Sequence, residues 1–289
     1  MIGPRRTFRI PLPGRPPLEL GGRALVMGIL NLTDNSFSAD GLAGDPAAAI
    51  ARVREIEDAG ADLIDIGAES TRPGAAPISA AEELARLHPV LRAVAGRTRV
   101  PLSIDTTKAE VANFGLDEGV SLVNDISGLQ YDPEMGPLIA ARGVAAVLMH
   151  MRGRPDDMYA RASYGDVAAE VARELQRRVE RAVGYGIAWD RLLLDPGIGF
   201  AKRAEHSLAL LGDFAPLSAL GRPLLVGPSR KSFLTAATGP LPADQRDWPA
   251  AAAVTAAVLG GAHIVRVHRV REMVQVVRVA EAIRATARA

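Results

Sequence analysis

The chain has 289 residues and a formal net charge of +1, with 48% hydrophobic and 23% charged residues. This composition is ordinary for a globular protein with a large core, and the near-zero charge excludes a basic field for nucleic acid or an anionic membrane. The absence of cysteine excludes disulfides and thiolate chemistry, and no apolar run approaches the roughly 20 residues of a membrane span, so we expect a cytoplasmic protein.

The chain begins with a hairpin signal, which is followed by a series of short apolar runs. Residues 7–20 predict a β-hairpin whose strands are limited by proline. Eight apolar runs follow, nearly all ending on a polar, charged or flexible residue. They span residues 24–31, 62–67, 101–105, 121–125, 145–150, 191–195, 223–227 and 263–268. Helix-like segments alternate with these runs, for example at residues 46–60, 80–95, 107–118 and 166–186.

The alternation predicts an α/β protein, a (β/α)8 TIM barrel with an N-terminal β-hairpin. Eight strand–helix units in about 250 residues match that barrel in count and length. A doubly wound open sheet is the competing fold, but its usual glycine-rich turn after the first strand is replaced here by Asn31-Leu32-Thr33-Asp34. We expect one domain over residues 1–289, with residues 1–22 as the hairpin segment and residues 23–289 as the barrel.

Polar residues at the ends of the predicted strands indicate a site at the carboxyl-terminal rim of the barrel. They are Asn31, Asp105, Asn124, Asp125, His150 and Asp195. Any one of these side chains could merely cap a turn, but all six together favour a functional cavity. At the end of the fifth strand, Met149 is favoured over His150 as the pocket residue, because neighbouring positions on a strand face opposite ways.

The last two strands predict an anion site. The seventh strand ends at Gly227 and leads into Pro228-Ser229-Arg230-Lys231-Ser232-Phe233, where we expect a helix to begin. Cations at a helix N-terminus oppose the helix dipole, so Arg230 and Lys231 are unfavourable there unless an anion binds. The alternative is that the Arg–Lys pair is simply exposed to solvent. On the eighth strand, Arg266 and His268 share a face. Loops after these strands often bind phosphate in such barrels.

Two long polar loops follow the first and second strands, at residues 33–41 and 69–75. Connections of this length exceed the usual two to six residues and favour lids or binding loops.

Seven sequence blocks, taken together, resemble the dihydropteroate synthase family of pterin-binding enzymes. They are Asn31-Leu-Thr with Ser36-Phe37-Ser38, Asp65-Ile-Gly-Ala-Glu-Ser-Thr-Arg-Pro-Gly74, Ser103-Ile-Asp-Thr106, Val123-Asn-Asp-Ile126, Leu194-Asp-Pro-Gly-Ile-Gly-Phe200, Gly227-Pro-Ser-Arg-Lys-Ser-Phe233 and Arg266-Val-His268. The resemblance implies that the chain joins p-aminobenzoate to 6-hydroxymethyl-7,8-dihydropterin diphosphate by an SN1-like substitution. It also implies Mg²⁺ as cofactor, a homodimer, and inhibition by sulfonamides, which imitate p-aminobenzoate.

The resemblance further implies a role for each matching residue. Pterin would be bound by Asp105, Asn124, Ile126, Met149, Asp195, Phe200, Gly227 and Lys231. Diphosphate would be bound by Asn31, Arg266 and His268, with Asn31 also a ligand of Mg²⁺. The p-aminobenzoate site would contain Phe37, Thr71, Arg72, Pro73, Lys231 and Ser232. The residues implied to carry catalysis are Lys231, Asp105, Asp195, Arg266 and His268.

Two departures from the family pattern leave alternatives open. Asp34-Asn35 stands where the family usually has Pro-Asp, and Arg269 replaces an Asp after His268. Loss of that Asp could change how His268 is held, or place another cation at the anion site. A pterin-binding paralogue with weak synthase activity is therefore one alternative, and a corrinoid-linked pterin methyltransferase is a less favoured one. We also expect Trp189 and Trp248 to be packing residues, with the helix 248–260 able to contact a partner subunit.

Overall fold

A computed structural model describes residues 2–3, 5–32, 46–72 and 74–287. Its strands are β1 (Phe8–Ile10), β2 (Leu18–Leu20), β3 (Leu25–Asn31), β4 (Leu63–Gly67), β5 (Leu102–Asp105), β6 (Leu122–Asp125), β7 (Ala145–Met149), β8 (Leu192–Asp195), β9 (Leu225–Val226) and β10 (Ile264–Val267). Its α-helices are α1 (Pro46–Asp58), α2 (Ala80–Val94), α3 (Ala109–Asp117), α4 (Met135–Arg142), α5 (Val167–Gly184), α6 (Ala204–Gly212), α7 (Ala215–Ser218), α8 (Thr235–Thr238), α9 (Asp247–Gly260) and α10 (Val270–Thr286).

Strands β3 to β10 form one parallel sheet in the order β8-β7-β6-β5-β4-β3-β10-β9. A bridge between Leu194 and Leu224 joins the two ends of this order, and the Leu194 amide donates to the carbonyl of Pro223 at 2.9 Å. The sheet therefore closes into the predicted barrel, and the alternative of an open doubly wound sheet is wrong.

Burial on both faces explains why these apolar runs became barrel strands. Every residue of β7 and of β8 is buried, as expected when one face points into the barrel and the other meets the helices. The predicted helices also form, with ends within two residues of those expected. At the start of α2, Ser79 and Glu82 make the reciprocal bonds of a capping box.

The N-terminal hairpin, formed by the antiparallel strands β1 and β2, covers one end of the barrel. Its apolar side chains share a buried cluster with residues near the starts of the barrel strands. The cluster includes Ile10, Leu12, Leu18 and Leu20 from the hairpin, and Met27, Leu63, Leu122, Leu193 and Leu225 from the barrel. With the amino-terminal end covered in this way, the carboxyl ends of the strands remain for the site.

The segment after β9 and the two tryptophans differ from expectation. The residues after β9 form a short 3-10 turn, Ser232–Leu234, followed by the four-residue α8, so no long helix begins at Ser229 or Lys231. The next long helix starts only at Asp247. Trp248 is 86% exposed and Trp189 is 44% exposed, so neither is a buried packing residue within this chain.

Within the described residues, no helix has the length and apolar content that a membrane span requires.

Candidate functional site

Strand register brings the predicted site residues together at the carboxyl-terminal rim. Asp105 of β5 lies opposite Asn124 of β6, and Met149 of β7 lies opposite Asp195 of β8. Gly67, at the end of β4, is the neighbour of Asp105. A Cβ atom at Gly67 would approach that of Asp105 to 3.1 Å, so glycine leaves the space that the carboxylate occupies.

Arg266 of β10 bridges two carboxylates across the rim. Its Nε donates to Oδ2 of Asp65 at 2.6 Å, and its Nη2 donates to Oδ2 of Asp105 at 2.7 Å. The same oxygen of Asp65 accepts a hydrogen bond from Nδ2 of Asn124 at 2.8 Å. Arg266 is therefore held by strands β4 and β5 before any ligand binds, with part of its guanidinium fork still available.

Asp65 is a central member of this network, although it is absent from the site residues predicted from the sequence. Its side chain is fully buried, and Oδ1 has no hydrogen-bond partner among the described residues. The sequence did contain a feature that could have identified Asp65, because it is a lone carboxylate between Ile64 and Ile66 in an apolar strand. A buried charge in such a strand requires a partner.

Burial perturbs the ionisation of the rim residues. Desolvation raises the pKa of Asp195 to about 6 and lowers the pKa of the Lys231 amine to about 7, with Arg266 adding to the fall. Desolvation also raises the pKa of Asp105, against the opposing field of Arg266. Perturbed ionisable groups that share one rim are typical of functional sites.

Lys231 lies over an aromatic ring beside an apolar wall. Its Nζ is 3.4 Å from the centroid of the Phe200 ring. Phe200 belongs to a buried cluster with Ile126 and Met149, so three of the apolar residues predicted to contact pterin pack together. The amide of Gly197 donates to Oδ1 of Asp195 at 2.7 Å, which orients that carboxylate at the end of β8.

His268 lies among four cations next to the loop that follows β9. The cations that lower its pKa, in addition to burial, are Arg230, Arg266, Lys231 and Arg72. Its Nδ1 lies 3.0 Å from Oγ of Ser229, so the serine hydroxyl orients the ring. Arg269 instead pairs with Glu272 on the exposed surface. The structure thus shows Ser229 beside His268 and Arg269 directed to Glu272.

The structure corrects two expectations, for Asp125 and Arg230, and agrees with the preference for Met149 over His150. Both carboxylate oxygens of Asp125 accept backbone N–H bonds, from Ser127 and Leu129, so this residue caps a turn and does not face the cavity. His150 contacts Glu174 through Nε2 at 3.0 Å, behind the rim. Arg230 forms an ion pair with Asp247 at 3.0 Å and is not a free cation at a helix N-terminus.

Asn31 ends β3 beside Gly67. Among the described residues no group of three or more His, Asp or Glu side chains could hold a metal alone. Mg²⁺ prefers oxygen ligands and commonly keeps several waters. The Asn31 amide oxygen is a ligand of that kind.

The second long loop is anchored at its base. Lys108 Nζ lies 2.7 Å from Oε2 of Glu69 and 2.6 Å from Oε2 of the buried Glu83. Farther along the loop, Thr71 is partly buried and Arg72 is exposed. Ser232, also exposed, follows Lys231 on a different loop. Phe37 and Pro73, two predicted p-aminobenzoate contacts, lie outside the described residues, as do Asp34 and Asn35.

Known proteins similar to this chain cover nearly its whole length. Residues 27–268 match the model of a family described as pterin binding enzyme. The chain is 43% identical over 277 residues to the dihydropteroate synthase of Synechocystis, covering 96% of each protein. It is 44% identical over 259 residues to the dihydropteroate synthase of Escherichia coli K12, covering 89% of this chain and 90% of that one.

Solved structures agree with these relatives. The dihydropteroate synthase of Yersinia pestis, in complex with a sulfonamide drug, superposes with a TM-score of 0.90 at 42% identity, covering 96% of this chain and 100% of that one. The Xanthomonas albilineans dihydropteroate synthase with 4-aminobenzoic acid superposes with a TM-score of 0.88 at 40% identity, covering 97% and 99%.

Proposed function

Because the chain belongs to the pterin-binding enzyme family, within the dihydropteroate synthases, we propose which of its residues perform the reaction. The chain is a transferase of folate biosynthesis. It condenses 6-hydroxymethyl-7,8-dihydropterin diphosphate with p-aminobenzoate, forming 7,8-dihydropteroate and releasing diphosphate. The observation that carries the residue-level proposal is the rim on which Asp105, Asn124, Arg266 and Asp65 are joined.

The pterin ring is read by Asp105, Asn124, Asp195 and Lys231. A pterin presents an exocyclic amine, ring nitrogens and a carbonyl along flat edges, which match carboxylate, amide and ammonium groups. Lys231 donates to the carbonyl and a ring nitrogen, while the carboxylates accept from N–H groups. The faces of the ring pack against Ile126, Met149, Phe200 and Gly227. The clustering of Ile126, Met149 and Phe200 supports this wall.

The diphosphate is held by Asn31, Arg266 and His268. The guanidinium and ammonium groups that act on His268 support this assignment, because such groups bind phosphate oxygens. Arg266 uses two of its N–H groups on Asp65 and Asp105, so its remaining donors can reach phosphate oxygens. Mg²⁺ bound to Asn31 and the diphosphate would neutralise charge on the leaving group.

The reaction is a loose, SN1-like substitution. The bond between the pterin methylene carbon and the diphosphate oxygen breaks, and its electron pair leaves with the diphosphate. The pterin ring delocalises the positive charge that develops, and the arylamine nitrogen then bonds to the methylene carbon and loses a proton. No side chain needs to act as nucleophile. The residues Lys231, Asp105, Asp195, Arg266 and His268 contribute by positioning the substrate and stabilising the leaving group.

We assign p-aminobenzoate to the loop 69–75 and the loop after β9, through Thr71, Arg72, Lys231 and Ser232. Phe37 and Pro73, the other two residues of this assignment, lie outside the described residues. The second loop carries no insertion between Thr71 and Arg72, and we expect ordinary sensitivity to sulfonamides. Unchanged turnover in millimolar sulfamethoxazole would contradict that expectation.

A homodimer is proposed on the basis of helices α9 and α10. These helices pack against each other, and both expose large apolar side chains, with Trp248 86%, Val279 61% and Ile283 45% exposed. Large apolar side chains of this kind are enriched at the cores of protein–protein interfaces. Sedimentation equilibrium would test the dimer, and a monomer at micromolar concentration would contradict it. The single domain and the cytoplasmic location remain predictions.

The test of function is release of diphosphate on mixing the purified protein with both substrates, together with chromatographic detection of dihydropteroate. We expect stoichiometric formation of both products, with loss of turnover when Mg²⁺ is chelated and recovery when it is restored. Pterin diphosphate binding without turnover would instead support the pterin-binding paralogue with weak activity. Full turnover in the presence of chelator would show that the reaction does not need Mg²⁺, without contradicting the reaction itself.

A further inference from the structure

Lys202 is a buried amine that the proposed reaction does not use. The chain contains 34 lysine and arginine residues, but only Lys108, Lys202 and Lys231 are lysines. Lys202 is 1% exposed and is the largest fully buried side chain of the described residues. A buried amine is costly unless it makes directed contacts, and burial lowers the pKa of Lys202 well below its usual value. Its position therefore requires an explanation.

A directed chain of hydrogen bonds connects Lys202 to the protein surface. The hydrogen bond from His150 and the field of Arg152 help hold the pKa of Glu174 well below its ordinary value, so Glu174 is ionised at neutral pH. Since Glu174 can only accept, His150 donates from Nε2, across 3.0 Å. The other ring nitrogen, Nδ1, then accepts from Lys202 Nζ at 2.8 Å. These hydrogen bonds together fix the position of the Lys202 amine.

From this place Lys202 contacts the loop that carries Phe200. Its Nζ donates to the Phe200 carbonyl at 3.1 Å. The backbone here is unusual, since φ is positive at Gly197, Gly199 and Ala201, at 66°, 78° and 48°. The hydroxyl of Tyr164 also donates to the carbonyl of Ala201, at 2.8 Å. A non-glycine residue at positive φ is strained and persists only where surrounding contacts hold it.

We propose that Lys202 is a positioning residue of the pterin site, which holds the Phe200 backbone so that the Phe200 ring lies under Lys231. Phe200 is the link, because its carbonyl contacts Lys202 and its ring centroid lies 3.4 Å from Lys231 Nζ. The same loop orients Asp195 through the amide of Gly197. The assignment of this site to pterin rests on the proposed function, whereas the coupling between the two lysines does not.

The coupling can be measured without substrate, because only three lysines contribute signals after selective ¹³C labelling of the lysine ε-carbons. Substitution of each lysine by arginine assigns the signals. Lys231 should show a ring-current shift from Phe200, and Lys202→Met should reduce that shift by leaving the Phe200 carbonyl without its donor. An unchanged Lys231 signal in Lys202→Met would overturn the proposal.

The matched control is Arg222→Met. Arg222 is also a buried basic side chain, and its Nε donates to the carbonyl of Leu192 at 3.0 Å, at the opposite end of β8. This variant should lose stability but keep the Lys231 signal. If Lys202→Met does not fold, Lys202→Gln keeps a polar group on a side chain that is one bond shorter and ends short of the Phe200 carbonyl. A Lys231 signal displaced towards its random-coil position supports the proposal, and a wild-type signal overturns it.

A second readout separates positioning from general destabilisation. Loss of a buried donor to Phe200 should raise the KM for pterin diphosphate about tenfold in Lys202→Met while changing kcat less than about threefold, since the reacting groups remain. Arg222→Met should leave both constants unchanged. An equal KM in the two variants would overturn the positioning role. A wild-type protein without turnover would refute the proposed function, yet leave the NMR result valid.

Discussion

Substitution of Asp65 by asparagine tests the carboxylate network of the rim. Asp65 is fully buried and its Oδ2 accepts from both Arg266, at 2.6 Å, and Asn124, at 2.8 Å. Asparagine has nearly the same shape but carries no charge, and its single carbonyl oxygen cannot offer the same charged acceptor to both partners. Arg266 keeps its other carboxylate, Asp105, at 2.7 Å, so it is weakened but not left unpaired.

The expected magnitude follows from the bond that is lost. A hydrogen bond to a charged group contributes about 1.5–3 kcal/mol, and the larger cost of an unpaired buried charge does not apply while Asp105 remains. At about 1.4 kcal/mol per tenfold change in rate, kcat/KM for pterin diphosphate should fall about 10- to 150-fold. The loss should exceed any effect on p-aminobenzoate, because Asp65 acts through Arg266 and Asn124.

The assay is steady-state diphosphate release at varied pterin diphosphate, with the free energy of unfolding measured separately by urea titration. Asp62→Asn is the matched control, because Asp62 precedes β4 and accepts from Arg23 and the Val26 amide at the other end of the barrel. This control should keep wild-type kinetics even if its stability falls. A wild-type kcat/KM in Asp65→Asn would refute the role assigned to the network.

Three further predictions address other parts of the site. Ser229→Ala removes the hydroxyl 3.0 Å from Nδ1 of His268, and a neutral hydrogen bond of about 0.5–1.5 kcal/mol predicts a roughly 2- to 10-fold fall in kcat/KM; no change would exclude an orienting role. The pH profile of kcat/KM should rise near pH 6, as Asp195 with a pKa of about 6 ionises, and fall above pH 7, as Lys231 with a pKa of about 7 loses its proton. If the rise of kcat/KM near pH 6 persists in Asp195→Asn, a group other than Asp195 causes it. Lys108→Met, which unpairs a glutamate contact of 2.6 Å, should lower the free energy of unfolding by about 2–4 kcal/mol, and unchanged urea denaturation would contradict the anchor.

The barrel could be predicted from the sequence because its signal is local. Each strand is a short apolar run, and each helix has its own pattern and caps, so the eight alternations defined the fold without knowledge of tertiary contacts. The segment after β9 is an exception. Two adjacent cations and two serines resemble a helix start, but α8 has four residues and ends before Gly239-Pro240, a pair that stops helices.

Individual site residues could be predicted only where strand geometry decides which way a side chain points. The two-residue period favours Met149 over His150, as the structure has it, and the same rule applied to β6 would have separated Asn124 from Asp125. Long-range pairings carried no such local signal. The contact between Lys202 and His150 joins residues 52 apart in the chain, and a sequence alone does not indicate which buried groups will meet.

A crystal structure of the protein with bound 6-hydroxymethyl-7,8-dihydropterin diphosphate is the most direct test of the central claim. We predict that the pterin edge contacts Asp105, Asn124, Asp195 and Lys231, and that the diphosphate lies against Arg266 and His268. A pterin bound away from these strand ends, or a diphosphate that contacts neither Arg266 nor His268, would contradict it.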